Sequence, residues 1–436
     1  MTNPFVFGNP VTEKDFIGRS REIRRIVSRI TSGGQSVAIS AEPGMGKDSL
    51  LRYLSAPEKR AELYGDLAPR LIFQYIDATT LGSAFTQTQF WWLALASLAE
   101  NLNEIKLPAV TSAYEICKSE GFGVYNLEKL LAQLHAAGWR LVLLLDEFDN
   151  LLTHPVLNKS EFYGGLRSLA SRYDTLTLIT ASRQPLEKLN EATQEYSRMG
   201  SPYFNFMSQI ALGALTEKEA MLLLARGEPH FSRADKDYLY YIAGGHPTLL
   251  QAAANALWEV SEDGETNRQI RWETTARDLL EAARPLLANT WRVWTPETRK
   301  AMAIIALDSI PRLVAGKEFD LEALLASFPA YSPEVDELKK RGFLEAAPET
   351  RTGFRLQAQV MLWWLASELI RATRPQDGKD LGQWLQDQEW EGLIKGEEKS
   401  QLNKALTALG GLLKTGGEAF IKASAEGFAK GLTSAK

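Results

Sequence analysis

One short segment limits what this chain can fold into. Ala41–Ser49 reads AEPGMGKDS and falls between an apolar run, VAIS (Val37–Ser40), and a helical pattern that begins LLRYL. A glycine-rich turn between a buried strand and a helix aims backbone N–H groups at anionic oxygens. Lys47 adds a point charge suited to the outer phosphates of a nucleotide. The candidate phosphate-binding set is therefore Pro43, Gly44, Met45, Gly46, Lys47, Asp48 and Ser49. Two positions depart from the usual G-x-x-x-x-G-K-[ST] pattern. Ala41 stands for the first glycine, and Asp48 stands where a hydroxyl normally meets magnesium. A carboxylate at 48 can ligate the metal itself but adds negative charge beside the phosphates, and the Ser49 hydroxyl comes one position late. Binding is the firmer expectation, with slow ATP hydrolysis left open.

A second segment supplies the metal chemistry. WRLVLLLDEFDNL (Trp139–Leu151) is a buried-strand pattern ending in two carboxylates. Asp146 at such a position holds a magnesium ion, directly or through water, and Glu147 polarises the attacking water. The metal candidates are thus Asp48 and Asp146. A further strand, TLTLITASR (Thr175–Arg183), ends in Ser182, placed to sense the outer phosphate, and Arg183, placed to face a neighbouring subunit. Arg172 is an equal candidate for that trans-acting arginine. AGGHPTLLQ (Ala243–Gln251) reads as a turn with proline pre-set for a helix start. There His246 is either a cap or a nucleotide contact. His135, His154 and His230 show no partner spacing.

Around these motifs the pattern alternates. Apolar runs at Val37–Ser40, Leu71–Ile76, Leu141–Leu145 and Thr175–Thr180 are separated by helical patterns at Ser49–Tyr64, Thr88–Leu102, Asn126–Ala137 and Glu161–Arg172. Continuous rather than alternating apolar strands predict a mostly parallel sheet, covered on both faces. The expected class is α/β, a P-loop NTPase αβα sandwich followed by a helical lid, a winged helix and a C-terminal helical tail. The expected boundaries are 1–197, 198–290, 291–374 and 375–436, with RPQDGKD (Arg374–Asp380) as the linker before the tail.

Composition removes other classes. One cysteine, Cys117, cannot close an intrachain disulfide, and with four histidines a Cys/His zinc site is not expected. No apolar stretch approaches the 18–20 residues that span a bilayer, and MTNPFVFGNP does not read as a signal peptide. The expectation is a soluble, cytoplasmic protein. With 49 basic and 54 acidic residues the net charge is −5, which supplies no whole-chain field for nucleic acid. A local basic face remains compatible with that balance.

The motifs occur in a recognisable order. FIGRSREIRRI (Phe16–Ile26), the phosphate loop, LLLDEFDNL, ITASR, SPYFN (Ser201–Asn205) and GGHPTLLQ together resemble the STAND and archaeal or origin-recognition-like AAA+ ATPases, over about Phe16–Ala372. The resemblance implies that Phe16, Ile17, Gly18 and Arg19 lie near the adenine and that Pro247 sits in a lid motif reporting which nucleotide is bound. It implies ATP, ADP and Mg2+ as ligands. It further implies a switch that opens and self-associates after nucleotide exchange, with a protein trigger or effector as partner; the alternatives are an origin-recognition-like DNA-binding ATPase and a nucleotide-binding scaffold without hydrolysis.

The winged helix leaves two roles open, an autoinhibitory clamp or a DNA contact. Its candidate recognition helix, SPEVDELKKRG, and its hairpin, with Arg351 and Arg355, are both of mixed charge, which disfavours DNA. Trp363 and Trp364 read as core or as an interdomain face. In the tail, leucines and small residues recur with near-helical spacing, while glycines at 410, 411, 416, 417, 427 and 431 each lower helix propensity by about 0.8–1 kcal/mol. Such a tail either packs on the body or acts as an effector or oligomerisation segment, meeting a membrane surface without crossing it.

Overall fold

The computed structural model describes residues 2–193, 202–371, 381–412 and 417–434. The expected linker at Arg374–Asp380, and Ser201 of SPYFN, lie outside the described residues. The chain divides into two compact units, one of Pro10–Glu42 and Gly46–Leu212, the other of Met1–Asn9, Pro43–Met45 and Gly213–Lys436.

The first unit is built on a five-stranded sheet. β1 (Val37–Ala41), β2 (Leu71–Asp77), β3 (Arg140–Asp146), β4 (Leu176–Ser182) and β5 (Ser208–Leu212) run parallel in the order β2-β3-β4-β1-β5. β1, β3 and β4 are buried along their whole length, which is why they read as unbroken apolar runs. β5 is an edge strand with alternating burial, and the sequence reading passed over it. Register aligns Asp77 with Asp146 and Ser40 with Ser182. The carboxyl ends of β1, β3 and β4 therefore emerge along one side of the sheet, where open α/β sheets bind their ligands.

Helices fill the connections: α1 (Ser20–Gly33), α2 (Lys47–Ser55), α3 (Pro57–Tyr64), α4 (Gln87–Ala94), α5 (Ala96–Ile105), α6 (Pro108–Ser119), α7 (Val124–Ala136), α8 (Ser160–Arg172) and α9 (Leu186–Ala192). The helix expected over Ser49–Tyr64 is two, because Ala56 precedes proline and takes ψ 124°. The pattern over Thr88–Leu102 likewise breaks at Leu95, between α4 and α5. A reciprocal Thr86–Gln89 capping box opens α4. Phe90 then meets Phe162 of α8 edge-on at 4.9 Å within the core.

The second unit is helical apart from one hairpin. α10 (Glu217–Leu224) starts at the Thr216–Glu219 capping box. α11 (Arg233–Ala243), α12 (Pro247–Glu262) and α13 (Arg268–Val293) follow, the last running through Pro285. α14 (Pro296–Ala315), α15 (Glu322–Ser327), α16 (Ser332–Arg341), β6 (Leu344–Ala346), β7 (Phe354–Leu356) and α17 (Gln359–Arg371) reproduce the helix–helix–helix–hairpin–helix order of a winged helix. Trp363 and Trp364 of α17 are buried, as expected.

The tail forms α18 (Leu381–Asp387), α19 (Glu397–Leu412) and α20 (Gly417–Ser434). Trp390 is fully buried and donates to the Pro296 carbonyl at 3.0 Å. Buried Lys300 of α14 donates to the Leu393 carbonyl and pairs with Glu398 at 3.1 Å. On α20, Ser424 accepts from the Trp363 indole, and Phe428 packs among Tyr238, Tyr241 and Trp272. No helix among the described residues is long and apolar enough to cross a membrane.

Candidate functional site

The phosphate loop turns on two glycines. Gly44 has φ 76° and Gly46 φ 85°, values that a side chain strains to adopt. A Cβ at 46 would meet nothing within 4 Å, so that side of the turn is open. A Cβ at 44 would lie 2.8 Å from Thr248 Oγ1 and 2.9 Å from His246 Cε1. Thr248 Oγ1 also donates to the Gly44 carbonyl at 2.8 Å. Met45 is buried and Pro43 half-buried beside it. His246 caps α12 by accepting from the Leu249 N–H, and Pro247 takes the first helical position. His246 thus serves as cap and loop neighbour at once. Ala41, which replaces the usual first glycine, is the last residue of β1 and is buried there.

Lys47 opens α2 and is 4% exposed. Its Nζ donates to the Ala41 carbonyl at 3.3 Å and lies 3.9 Å from Glu147 Oε1. Ser49 Oγ accepts from the Val11 N–H, so the late hydroxyl is engaged by the chain's N-terminal segment. Asp48 is half-buried.

Asp146 is buried at the end of β3. Its Oδ2 accepts from the Tyr75 hydroxyl at 2.7 Å and its Oδ1 from the Glu147 N–H at 2.8 Å. Burial pushes its pKa up to about 6, the charges of Asp48 and Glu147 add to that, and the two hydrogen bonds oppose it. Tyr75 is in turn driven above the ordinary phenol value by burial and by its bond to Asp146.

Glu147 has φ 46°, ψ 44°, a left-handed conformation costly for a residue with a side chain and common where function demands it. Its Oε2 lies 3.2 Å from Arg183 Nη2 yet has no partner in hydrogen-bond geometry. Arg183, expected to face a neighbouring subunit, is therefore folded back onto a carboxylate of its own chain. Arg172 is paired with Glu128 at 2.6 Å. Ser182 is buried, and its Oγ donates to the Gln184 carbonyl.

Phe16 stacks on Tyr53 with centroids 4.6 Å apart. Ile17 is half-buried, and Gly18 and the buried Arg19 follow with φ 83° and 61°. Three contacts were missed from sequence: Tyr75 on Asp146, Thr248 on Gly44, and Tyr53 under Phe16. None has a local signature. His135 pairs with Asp174, His154 contacts the Gly82 carbonyl and His230 packs on Trp258, so these three are structural.

The residues fit a magnesium–nucleotide. A buried ammonium at a helix start, an open glycine turn and the carboxylates at the end of β3 are the kinds of group that such a ligand needs. Among the described residues no group of three His, Cys, Asp or Glu could hold a metal alone. Mg2+ is usually held by one or two carboxylates together with phosphate oxygens.

The family described as the AAA-like domain matches residues 9–275. No curated protein matches the chain. Among solved structures, the Walker-type ATPase of Pyrococcus abyssi is similar at a TM-score of 0.51 and 15% identity, covering 83% of this chain and 99% of that one. Cdc6p of Pyrobaculum aerophilum reaches a TM-score of 0.38 at 13% identity, over 82% and 99%. The STAND protein with a tetratricopeptide repeat sensor from Pyrococcus horikoshii reaches 0.34 at 15%, over 98% and 60%.

Proposed function

Because the chain belongs to the AAA-like domain family over residues 9–275, we propose that it binds ATP and ADP with Mg2+ and uses their exchange or slow hydrolysis as a conformational switch. The observation that carries this reading is Lys47, a buried ammonium at the start of α2, set behind two left-handed glycines and facing Glu147. Lys47 and the N–H groups of Gly44–Asp48 would hold the phosphates. Asp146 and Asp48 would hold the metal, which when bound screens phosphate charge. Glu147 would orient water.

The ion pairs around Glu147 support slow turnover. Lys47 and Arg183 both occupy the carboxylate, so it must exchange partners before it can accept a water proton. Thr248 and His246 touch Gly44, which supports a role for the turn before α12 in sensing what the loop holds.

Titration with a fluorescent ATP or ADP analogue tests the reading. Lys47→Ala should weaken binding at least tenfold, and Glu147→Gln should retain binding while removing phosphate release. Absence of binding at millimolar nucleotide would end the proposal. The molecular mass in solution, measured first with ADP and then with ATP, tests the self-association that a switch implies. The finer role divides into a signalling switch and a DNA-binding ATPase, and this nucleotide chemistry serves either.

A further inference from the structure

We propose that the outward face of α1 is a docking surface for the phosphate backbone of duplex DNA, an inference that rests on the DNA-binding branch of the reading above. α1 turns Ile26 and Ile30 into the core, both fully buried. Arg21, Arg24, Arg25 and Arg29 are exposed on the same helix, with Ser20 and Ser28 the other exposed residues among Ser20–Ile30. Spacings of three, four and eight residues make the arginines one stripe, about 12 Å from Arg21 to Arg29 at 1.5 Å per residue.

None of the four has a carboxylate within 4.0 Å among the described residues. Arg25 donates to the Gln209 carbonyl at 3.5 Å and Arg29 to the Gln35 side chain, both neutral. Arg21 also sits in the first turn, where the helix dipole disfavours a cation. Like charges three and four residues apart repel one another. Local physics opposes this arrangement, and a bound polyanion adds an attraction that offsets those terms.

The composition of the stripe selects the polyanion. A membrane-surface helix needs apolar residues to insert, and these exposed positions carry only arginine and serine. A protein interface centres on a desolvated core that excludes water, and this face offers no apolar or aromatic side chain to build one. Single-stranded nucleic acid stacks its bases on aromatic side chains, and none is present in the stripe. Guanidinium groups in a row match the phosphates of a duplex, contacted without reading sequence.

The winged helix makes the contrast. Arg341 pairs with Glu337, Arg351 with Asp308 and Glu318, Arg355 with Glu345 and Glu349, and Lys339 with Asp336. Those cations are already neutralised.

The test is fluorescence anisotropy of the full chain, with ADP and with ATP, on a mixed-sequence duplex of about 25 base pairs, from about 50 to about 200 mM salt. With three to four arginines engaged, log K against log salt should slope at roughly −2.7 to −3.6. The double variant Arg21→Ala/Arg25→Ala should flatten that slope by about 1.8 and weaken binding about tenfold, with nucleotide affinity and Tm unchanged. The double variant Lys339→Ala/Arg355→Ala should leave the slope where it was. If DNA binds but the Arg21/Arg25 variant keeps the wild-type slope, the surface is wrong while the DNA-binding branch stands. No binding at about 50 mM salt defeats both. Equal affinity for a single strand of the same length, or for phosphatidylserine vesicles, overturns the assignment to duplex DNA.

Discussion

Two regions of this chain concentrate positive charge and use it in opposite ways. On α1, four arginines stand in solvent with no carboxylate in reach among the described residues. In the winged helix, arginines hold the fold together: Arg351 Nε donates to Asp308 Oδ1 at 2.7 Å, while Thr352 supplies its N–H and hydroxyl to Oδ2. Asp308 has no exposed surface. The same side-chain type is structural where a buried carboxylate fixes it and available where none does. Sequence alone counts charges; only the fold shows which are spent.

The comparison breaks most readily at Asp308. Replacing Arg351 by alanine leaves a buried carboxylate with only its Thr352 bonds and Arg312 at 4.0 Å, and should cost about 2–4 kcal/mol. Urea denaturation reads the loss directly. The double variant Arg351→Ala/Asp308→Asn should recover part of it, since the uncompensated charge is gone. A loss below about 1 kcal/mol would make the pair an ordinary surface bridge and erase the contrast with α1.

Asp146 extends the comparison to a buried carboxyl group that no cation partners among the described residues. Its pKa, raised to about 6 from an ordinary carboxylate value near 3.9, means the folded state holds the proton more tightly than the unfolded chain. That contribution is fully present below about pH 4 and is lost as pH rises through about 6. At pH 7, ionisation costs the nucleotide-free protein up to about 3 kcal/mol. Asp146→Asn should therefore be more stable than the parent at pH 7 by about 1–3 kcal/mol, with the gain fading towards pH 4. Thermal melts across that range check it. A gain independent of pH would assign the effect to packing instead. The same substitution should weaken magnesium-dependent nucleotide binding, since a site built for a metal is destabilised without one.

How much of this was legible beforehand depends on how far apart the interacting residues lie. β1, β3 and β4 were read because central parallel strands are buried along their whole length, and β2, at the other edge, because LIFQYI is mostly apolar. β5, SQIAL, was missed because an edge strand shows alternating burial and little contrast over five residues. α6 was missed because PAVTSAYEICKS mixes β-branched and small residues within a weak apolar stripe. The phosphate loop and the Asp146–Glu147 pair were legible because their chemistry is local. Tyr75 on Asp146 joins residues 71 apart, and Thr248 on Gly44 joins residues 204 apart. Arg183 shows a related limit. Its position at a strand end was clear, but whether it would point outwards or back to Glu147 depends on the left-handed turn at Glu147.

The contact with the tail supplies a third case, in which the cation itself is buried. Lys300 is almost fully buried and Glu398 is 15% exposed, so Lys300→Ala should cost about 1–3 kcal/mol. The doubly apolar variant Lys300→Met/Glu398→Leu should be closer to neutral, which chemical denaturation can resolve. Agreement would show that the ion pair sets the register of α19 more than it stabilises it.

The smallest expected effect carries the comparison back to α1. Arg25→Ala removes an exposed side chain whose one protein contact is a long bond to a carbonyl, so stability should move by no more than about 0.5 kcal/mol. The sign is informative. Losing a cation with like-charged neighbours at Arg21 and Arg29 should stabilise slightly at low salt, and the difference should disappear near 1 M salt as screening removes the repulsion. Arg351→Ala should keep most of its loss at the same salt, because its partner is buried and poorly screened. A stripe substitution that destabilised the chain as strongly as Arg351→Ala, with the same indifference to salt, would make the α1 arginines structural after all.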